Sequence, residues 1–139
     1  GVGGVVISGD RALLIRRGSE PLKGTWSIPG GRLELGETIT EGVVRELREE
    51  TGLDVRVVEL IEVFERIFHD EAAPASATPR YHFVILDYLC EVISGEPRAG
   101  SDVTELAWAR EEELGQYRLT PTATRVLRQA FQMVRTRPR

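Results

Sequence analysis

The sequence predicts an α/β protein built as an α/β/α sandwich, with a mixed sheet between helices. Two observations lead to this fold class. Short runs rich in β-branched and apolar residues recur along the chain, and segments with helical spacing are interleaved with them. Strands interleaved with helices favour a sheet that is covered on both faces. A length of 139 residues is enough for one hydrophobic core, so residues 1–139 are predicted to form a single domain.

The predicted elements follow in chain order. They are a strand hairpin at 4–7 and 12–17, a helix at 38–51, long strands at 54–68 and 81–93, a strand at 103–109, a short helix within 110–119 and a last helix at 120–135. The apolar stripe of the last helix is Val126, Leu127, Ala130, Phe131 and Val134. Pro29 and two glycines in TWSIPGG, residues 25–31, are expected to prevent a regular element. Residues 69–80 are predicted to be a mobile loop, and residues 94–102 a turn.

The helix at 38–51 has recognisable ends. Thr38 is followed three residues later by Glu41, which is the spacing of a capping box at a helix N-terminus. Gly52 suits the position just after the last helical residue, where the backbone turns left-handed. These two signals fix the length of the helix and place its last turn at residues 48–51.

That last turn concentrates negative charge beside an apolar face. At about 100° per residue, Glu46 and Glu50 fall on nearly the same side as Val43, and Glu49 lies about a quarter-turn away. Spacings of three and four residues bring the three carboxylates close together. Mutual repulsion, partial desolvation and the negative end of the helix dipole all disfavour this arrangement. A positive partner is therefore expected.

Two positive partners are compatible with the residues. Arg45 and Arg48 could pair with some of the acids, Arg45 with Glu49 in particular, as on an ordinary solvated helix face. Both arginines, however, lie on other sectors of the helical wheel from Glu46 and Glu50, so they are not expected to neutralise the whole set. The alternative is an all-oxygen site for Mg²⁺ or Mn²⁺, to which a phosphate substrate would also bind. The glycine-rich stretch GGRLELGE, residues 30–37, favours this alternative, since its backbone can approach the acids and offer a carbonyl.

These residues resemble the Nudix hydrolase family, whose signature is G-x5-E-x7-R-E-U-x-E-E-x-G-U, with U a bulky aliphatic residue. Gly31 and Glu37 match its first two fixed positions. Residues 45–53, RELREETGL, match the rest. A match at every defined position with both gaps conserved is a specific signal. The family fold is an α/β/α sandwich, which agrees with the fold class predicted from the pattern of elements.

The resemblance implies metal-dependent hydrolysis of a nucleoside diphosphate linked to another group, X. Carried over by position, Glu46, Glu49 and Glu50 would ligate Mg²⁺ or Mn²⁺, and the carbonyl of Gly30 would be a further ligand. Glu37 and Arg45 would form a supporting salt bridge. Gly31 would lie against the substrate.

The reaction is attack of water on a phosphorus atom, so a general base is expected and a nucleophilic side chain is not. The base is either one of the three glutamates or an acid of the later loop, Asp102 or Glu105. Asp102 is equally compatible with a turn-stabilising role. Arg16 and Arg17 end a strand, and one of them, Arg17 by comparison with the family, is a candidate for binding substrate phosphate. Solvated strand-end arginines are the alternative.

Three functions remain open at this point. The first is hydrolysis of ADP-ribose, ADP-sugars or related dinucleotides, which the pattern after the signature favours by analogy. The second is a nucleoside triphosphate pyrophosphohydrolase that cleans oxidised nucleotides from the pool. The third is an idle nucleotide-binding domain, which the complete glutamate set disfavours. Residues 69–80 and 94–102 would surround X in either enzyme.

Composition limits the surroundings in which the protein works. A formal net charge of −4 argues against a nucleic acid polymer as partner, although a local metal site still permits a nucleotide substrate. Cys90 lies in an apolar strand and has no second cysteine to pair with, so it is predicted to be a buried thiol in a reducing, cytoplasmic setting. No apolar run is long enough to span a membrane. Family members often pair, so a homodimer is left open.

Overall fold

A computed structural model of the chain describes residues 1–20, 22–69 and 81–137. The strands within these residues are β1 Val2–Ser8, β2 Arg11–Arg17, β3 Trp26–Ser27, β4 Gly30–Gly31, β5 Asp54–Phe68, β6 Tyr81–Ser94 and β7 Val103–Arg110. The helices are α1 Ile39–Thr51 and α2 Pro121–Thr136, with a 3-10 helix at Glu111–Tyr117 between β7 and α2.

The described strands form one mixed sheet with β1 near its centre. The strand order is β3-β2-β1-β6-β5, while β4 pairs with β1 and β7 pairs with β2. β1 runs parallel to β6, so that Val2 lies opposite Leu86 and Val6 opposite Cys90. Its other edge pairs antiparallel with β4 at the start of the strand and with β2 at its end. β1 therefore lies between β4, which carries the glycine-rich segment, and the long β5–β6 hairpin.

Helices α1 and α2 cover opposite faces of the sheet. Because side chains alternate along a strand, neighbouring residues of β1 and β2 contribute to different cores. The core under α1 contains Val2, Val6, Leu13, Val43, Leu47, Leu53, Val55 and Cys90. The core under α2 contains Val5, Ala12, Leu14, Ile61, Leu89, Ala109, Leu114, Val126, Leu127, Ala130 and Phe131. The predicted α/β/α sandwich with a mixed sheet is confirmed.

The ends of α1 are those that the sequence predicted. The Thr38 hydroxyl accepts a hydrogen bond from the Glu41 amide at 3.2 Å, and the Glu41 carboxylate accepts one from the Thr38 amide at 3.4 Å. Gly52 ends the helix with a left-handed backbone at φ 75°. Cys90 is buried as predicted, and burial raises the pKa of its thiol to about 12.

Two expectations about the elements need correction. The segment 25–31 does contain regular structure, since β3 pairs with β2 and β4 pairs with β1 on either side of Pro29. Pro29 interrupts the segment without preventing these pairs. Val134 does not join the buried stripe of α2, since it is 37% exposed, whereas Met133 of the same turn packs against the core. Of the predicted loop at 69–80, residues 70–80 lie outside the described residues. No helix in the described ranges has the length and apolar character needed to cross a membrane.

Candidate active site

A cavity of about 540 Å³ opens between the glycine-rich segment, the C-terminal half of α1 and the face of the sheet that α2 partly covers. The predicted site residues that line it are Arg17, Gly30, Gly31, Glu46, Glu50 and Asp102. The predicted residues outside its lining are Arg16, Glu37, Arg45 and Glu49. The structure thus brings together residues from β2, β4, α1 and the loop before β7.

Glu50 is the most deeply placed of the three glutamates. Its side chain is buried, with 9% of the residue exposed, and the Gly30 amide donates a hydrogen bond of 2.7 Å to Oε1. The pKa of Glu50 is raised to about 8, chiefly by burial and in part by the nearby Glu46 carboxylate. The amide of Gly30 and the guanidinium of Arg17 act in the opposite direction. Glu50 is therefore an acid whose charged form requires a positive partner.

Glu46 approaches the glycine-rich segment closely. A Cβ atom at Gly31 would lie 2.5 Å from the Glu46 carboxylate, so any larger residue here would push this carboxylate from its present position. Burial raises the pKa of Glu46, whereas Arg45 lowers it. Two partly buried carboxylates, those of Glu46 and Glu50, consequently share one end of the cavity.

Arg45 holds the acids of this region in place. Its guanidinium donates to Glu37 at 2.7 Å and 2.9 Å, which is the salt bridge that the resemblance implied. The same group donates to Glu46 at 2.9 Å, to Glu49 at 3.2 Å and to the Arg32 carbonyl at 2.8 Å. The side-chain hydrogen bond from Arg45 lowers the pKa of Glu37 to about 2. Although Arg45 lies on another sector of the helical wheel, its long side chain reaches sideways across the helix surface to Glu46 and Glu49, whereas Glu50 is bonded by the Gly30 amide.

Glu49 shares a nitrogen of the Arg45 guanidinium with Glu46, at 3.2 Å and 2.9 Å. Its side chain is 45% exposed and paired with Arg45. Among the described residues, no three Asp, Glu, His or Cys side chains lie together in a group that could hold a metal ion. In this conformation Arg45 bridges Glu46 and Glu49, and the three glutamates as metal ligands stay a prediction.

The donor set nevertheless fits a hard divalent cation. Glu46 and Glu50 offer carboxylate oxygens at one end of the cavity, and burial and mutual repulsion both disfavour their charged forms unless a cation is near. Mg²⁺ and Mn²⁺ prefer oxygen ligands of this kind. Glu46 and Glu50 would hold such an ion, and Glu49 would join them on leaving Arg45. Gly30 contacts Glu50 through its amide, and its carbonyl as a further ligand stays a prediction.

The C-terminus of α1 is capped by the turn at 94–102. The amides of Arg98, Gly100 and Ser101 donate to the last carbonyls of the helix at 2.9 Å, 2.9 Å and 3.0 Å. These bonds satisfy carbonyl groups that would otherwise face the glutamates. They also carry Asp102 into the lining of the cavity, where its charge raises the pKa of Glu50.

Of the two acids proposed for the later loop, only Asp102 lines the cavity within the described chain. Glu105 accepts a hydrogen bond of 2.9 Å from Arg16, and both side chains are about half exposed. Arg16 also donates to the Gly24 carbonyl at 2.9 Å, which holds it on the outer side of β2. Arg17, the neighbouring residue, points to the cavity instead. The alternation of side chains along β2 separates the two arginines.

Several cavity residues were missed by the sequence reasoning. Asp87 of β6 is buried, with 3% of its surface exposed, and lines the cavity together with Arg66, Phe64 and Phe83. An aspartate inside the apolar run HFVILDYL is a signal that could have identified it, because an isolated acid is rarely placed in a buried strand without a function. The other three gave no such signal, since alternating aromatic and charged residues are ordinary in a half-exposed strand.

Comparison with known proteins assigns the class of protein. A family model described as the NUDIX domain matches residues 1–130. The chain belongs to the Nudix family, as the signature at 31–53 predicted.

Individual relatives and solved structures of this family carry hydrolase names. A Methanocaldococcus jannaschii protein named ADP-ribose pyrophosphatase is 39% identical over 104 residues, which cover 75% of this chain and 57% of that protein. A Mycobacterium tuberculosis protein named putative 8-oxo-dGTP diphosphatase 2 is 35% identical over 114 residues, covering 81% of this chain and 74% of that one. The crystal structure of a MutT NUDIX hydrolase from Burkholderia pseudomallei aligns with a TM-score of 0.77 at 32% identity, over 92% of this chain and 94% of that chain. The match thus spans little more than half of the archaeal relative. Hydrolase names among the relatives support an enzyme of the Nudix pyrophosphohydrolase class.

Proposed function

We propose that this protein hydrolyses the pyrophosphate bond of a nucleoside diphosphate linked to X, with Mg²⁺ or Mn²⁺ as cofactor. The observation that carries the proposal is the cavity, in which the buried Glu50 and the partly buried Glu46 share the lining with Arg17 and the glycine-rich segment. One wall suits a cation and the other suits phosphate oxygens. A small-molecule nucleotide is therefore the expected substrate.

The chemistry is hydrolysis at phosphorus. Water attacks one phosphorus atom, the bond to the bridging oxygen breaks, and the two products each keep a terminal phosphate. A bound divalent metal supplies Lewis acidity and makes the attacking water more acidic. The protein supplies positions and charges, since phosphoryl transfer needs little covalent work from side chains.

Each side chain of the site has a proposed part in this step. Glu50, which the Gly30 amide holds at Oε1, is the first candidate for the general base. Asp102 is the second candidate for the general base, because it also lines the cavity. Arg17 would bind a phosphate oxygen and offset charge that develops there. Arg45 is a positioning residue that orients Glu46 through its hydrogen bond of 2.9 Å.

ADP-ribose, a related ADP-sugar or a related dinucleotide is the preferred substrate class. The archaeal relative named ADP-ribose pyrophosphatase, at 39% identity, supports this preference. The second candidate is a nucleoside triphosphate, including oxidised ones, cleaved to monophosphate and pyrophosphate. The mycobacterial relative named putative 8-oxo-dGTP diphosphatase 2, at 35% identity, supports it.

A product-identified screen tests the proposal. ADP-ribose, an ADP-sugar, a dinucleoside polyphosphate, ordinary triphosphates and 8-oxo-dGTP are compared with Mg²⁺ or Mn²⁺ and with EDTA. Turnover of ADP-ribose to AMP and ribose phosphate is the expected result. Release of pyrophosphate from a triphosphate at higher kcat/KM would favour the second candidate. A lack of turnover on every substrate, with metal present, would revive the idle nucleotide-binding domain.

Matched variants connect the activity to the cavity. Glu50→Gln keeps the shape of the side chain but removes its charge, and should lower kcat by at least about a hundredfold. Glu91 of β6 forms an exposed ion pair with Arg56 of β5. Glu91→Gln removes one charge from this pair and should leave kcat within about twofold. Near-normal turnover by Glu50→Gln would refute the assigned site even if the wild-type enzyme is active.

A further inference from the structure

Asp87 lies in the cavity without a donor from the protein. Its carboxylate belongs to β6 and the residue is 3% exposed. Among the described residues, no hydrogen bond or ion pair to this carboxylate is found, and its oxygens are not fully enclosed. The positive charge that acts on it is the amino group of Gly1, which lowers its pKa. A buried carboxylate normally has at least one such partner, because its desolvation is costly. Its position in the cavity wall leaves the cavity as the source of a donor.

The fold makes room for this carboxylate at Gly3. Gly3 of β1 lies opposite Asp87 of β6 on one edge and opposite Gly30 of β4 on the other. A side chain at Gly3 would collide with Asp87 Oδ1 and would lie 3.0 Å from the Pro29 carbonyl oxygen. The carboxylate therefore leans across β1 toward the segment whose amide contacts Glu50. With strands about 4.8 Å apart, Asp87 and Gly30 are separated by roughly 10 Å along this rung.

An aromatic wall continues beyond Asp87 on the same face of the sheet. Ile85 and Phe83 follow at alternate positions of β6, about 7 Å and 13 Å further along the strand. On β5, Phe64 pairs with Ile85, and Phe68 lies edge-on to Phe83 with ring centroids 5.9 Å apart. All of these residues line the cavity. The order along the cavity is thus the glutamates and glycines, then the Asp87 carboxylate, then an apolar aromatic surface.

That order matches the order of groups in a nucleotide. A pyrophosphate is followed by a sugar with vicinal hydroxyls and then by a flat base, which stacks well on aromatic side chains. In dinucleotide-binding folds, an acidic residue accepts a hydrogen bond from a ribose hydroxyl of the bound nucleotide. Burial, followed by the charge of Glu62, raises the pKa of Asp87 to about 7, which agrees with a carboxyl that gains from a donor in the ligand.

We propose that Asp87 is a substrate-contacting residue that accepts hydrogen bonds from the vicinal hydroxyls of a substrate sugar and so selects ribo- over deoxyribonucleotides. The inference rests on the proposed function for the identity of the ligand. The diol belongs either to the nucleoside ribose or to the sugar of X, and the chemistry of recognition is the same for both. Asp87 is then a determinant of specificity, separate from the residues that carry the hydrolysis.

Equilibrium binding tests this assignment without requiring turnover. Isothermal titration calorimetry with EDTA compares ADP with 2′-deoxy-ADP, and ADP-ribose with an analogue deoxygenated in the terminal ribose. Loss of hydrogen bonds to a charged acceptor should weaken wild-type binding by about tenfold to a hundredfold for at least one of the two pairs. In Asp87→Ala this ratio should fall to about one, whereas Glu91→Ala, a control on the same strand, should keep it.

The ratio separates recognition from a structural effect. If Asp87 only supported the fold, Asp87→Ala would weaken the hydroxylated and deoxygenated ligands equally, and the proposal would be overturned. A wild-type ratio below about threefold for both pairs would also overturn it, and this measurement needs no variant. If ADP discrimination depends on Asp87 while the substrate screen shows no turnover, the sugar contact stands and the proposed hydrolysis fails.

Discussion

The stability of the metal-free protein should depend strongly on Glu50. Glu50→Gln removes the carboxylate but keeps an oxygen that accepts from the Gly30 amide, whose hydrogen bond is 2.7 Å long. The substitution therefore changes the charge with little change in packing or in that hydrogen bond. In EDTA, no cation compensates for the buried acid, so we expect Glu50→Gln to be more stable than the wild type at neutral pH.

The size of the stability difference between Glu50→Gln and the wild type follows from the raised pKa of Glu50. Burial raises the pKa of Glu50 from its ordinary value of 4.5 to about 8 in the folded state. An acid whose pKa is raised on folding costs no stability below its unfolded pKa. The cost grows as pH rises and is complete above the folded pKa. At about 1.4 kcal/mol per pH unit, Glu50 lowers the unfolding free energy of the metal-free protein by less than about 1 kcal/mol at pH 5. The loss is roughly 3 kcal/mol at pH 7 and roughly 5 kcal/mol at pH 9.

Urea unfolding of both proteins at these three pH values, with EDTA present, measures the difference. The stability advantage of Glu50→Gln should widen as pH rises from 5 to 9. Glu91→Gln, which changes an exposed acid, should give a small difference that does not vary with pH in this way. A constant difference across the pH range, or a Glu50→Gln variant less stable than the wild type at pH 9, would refute the reasoning about burial.

Three further outcomes are expected. Mg²⁺ at about 100 times its dissociation constant should raise the unfolding free energy of the wild type by about 2.7 kcal/mol, and that of Glu50→Gln far less. A thermal-shift titration that is reversed by EDTA measures this, and equal shifts in the two proteins would contradict the assigned ligands. Arg45→Ala should lower kcat and the unfolding free energy, the latter by roughly 2 kcal/mol, because Glu46 loses its donor. Arg45→Lys should not restore either quantity, since an ammonium cannot bridge Glu37 and Glu46 in the same way, and full rescue in urea unfolding and kinetics would show that charge alone suffices. Thr38→Ala should cost about 1 kcal/mol of stability in urea unfolding through the lost cap but leave kcat unchanged, and a large loss of activity would be unexpected.

The sequence was sufficient for the parts of the fold that depend on local chemistry. The capping box at Thr38 and the left-handed Gly52 define α1 through contacts within a few residues, and both were predictable. The two faces of the sheet follow from alternation along β1 and β2, where successive apolar residues enter different cores. The signature at 31–53 supplied the family, and the NUDIX model over residues 1–130 confirmed it.

The parts that the sequence did not predict depend on contacts between distant segments. A helical wheel places Arg45 by angle alone, whereas the reach of its side chain to Glu37 and Glu46 is a property of folded geometry. The wheel likewise does not show that the guanidinium of Arg45 lies between Glu46 and Glu49 and donates to both. The pairing of β4 with β1 was hidden by Pro29, because two-residue strands carry no periodicity.

The acids of α1 show how this fold tolerates a destabilising arrangement at its site. Carboxylates in the last helical turn oppose the helix dipole, yet the amides of Gly100 and Ser101 satisfy the carbonyls beside them, and the amide of Gly30 reaches Glu50 directly. Backbone amides from the turn at 94–102 and from β4 thus offset part of the repulsion between the carboxylates. A residual cost of roughly 3 kcal/mol at pH 7 is a large share of the stability of an ordinary domain, which lies at about 5–15 kcal/mol. The buried cores on both sheet faces must provide that difference, and a cation bound at Glu46 and Glu50 would remove it. Stability and metal affinity are for that reason coupled through Glu50, and a variant that gains stability without metal should lose the ability to gain it from metal.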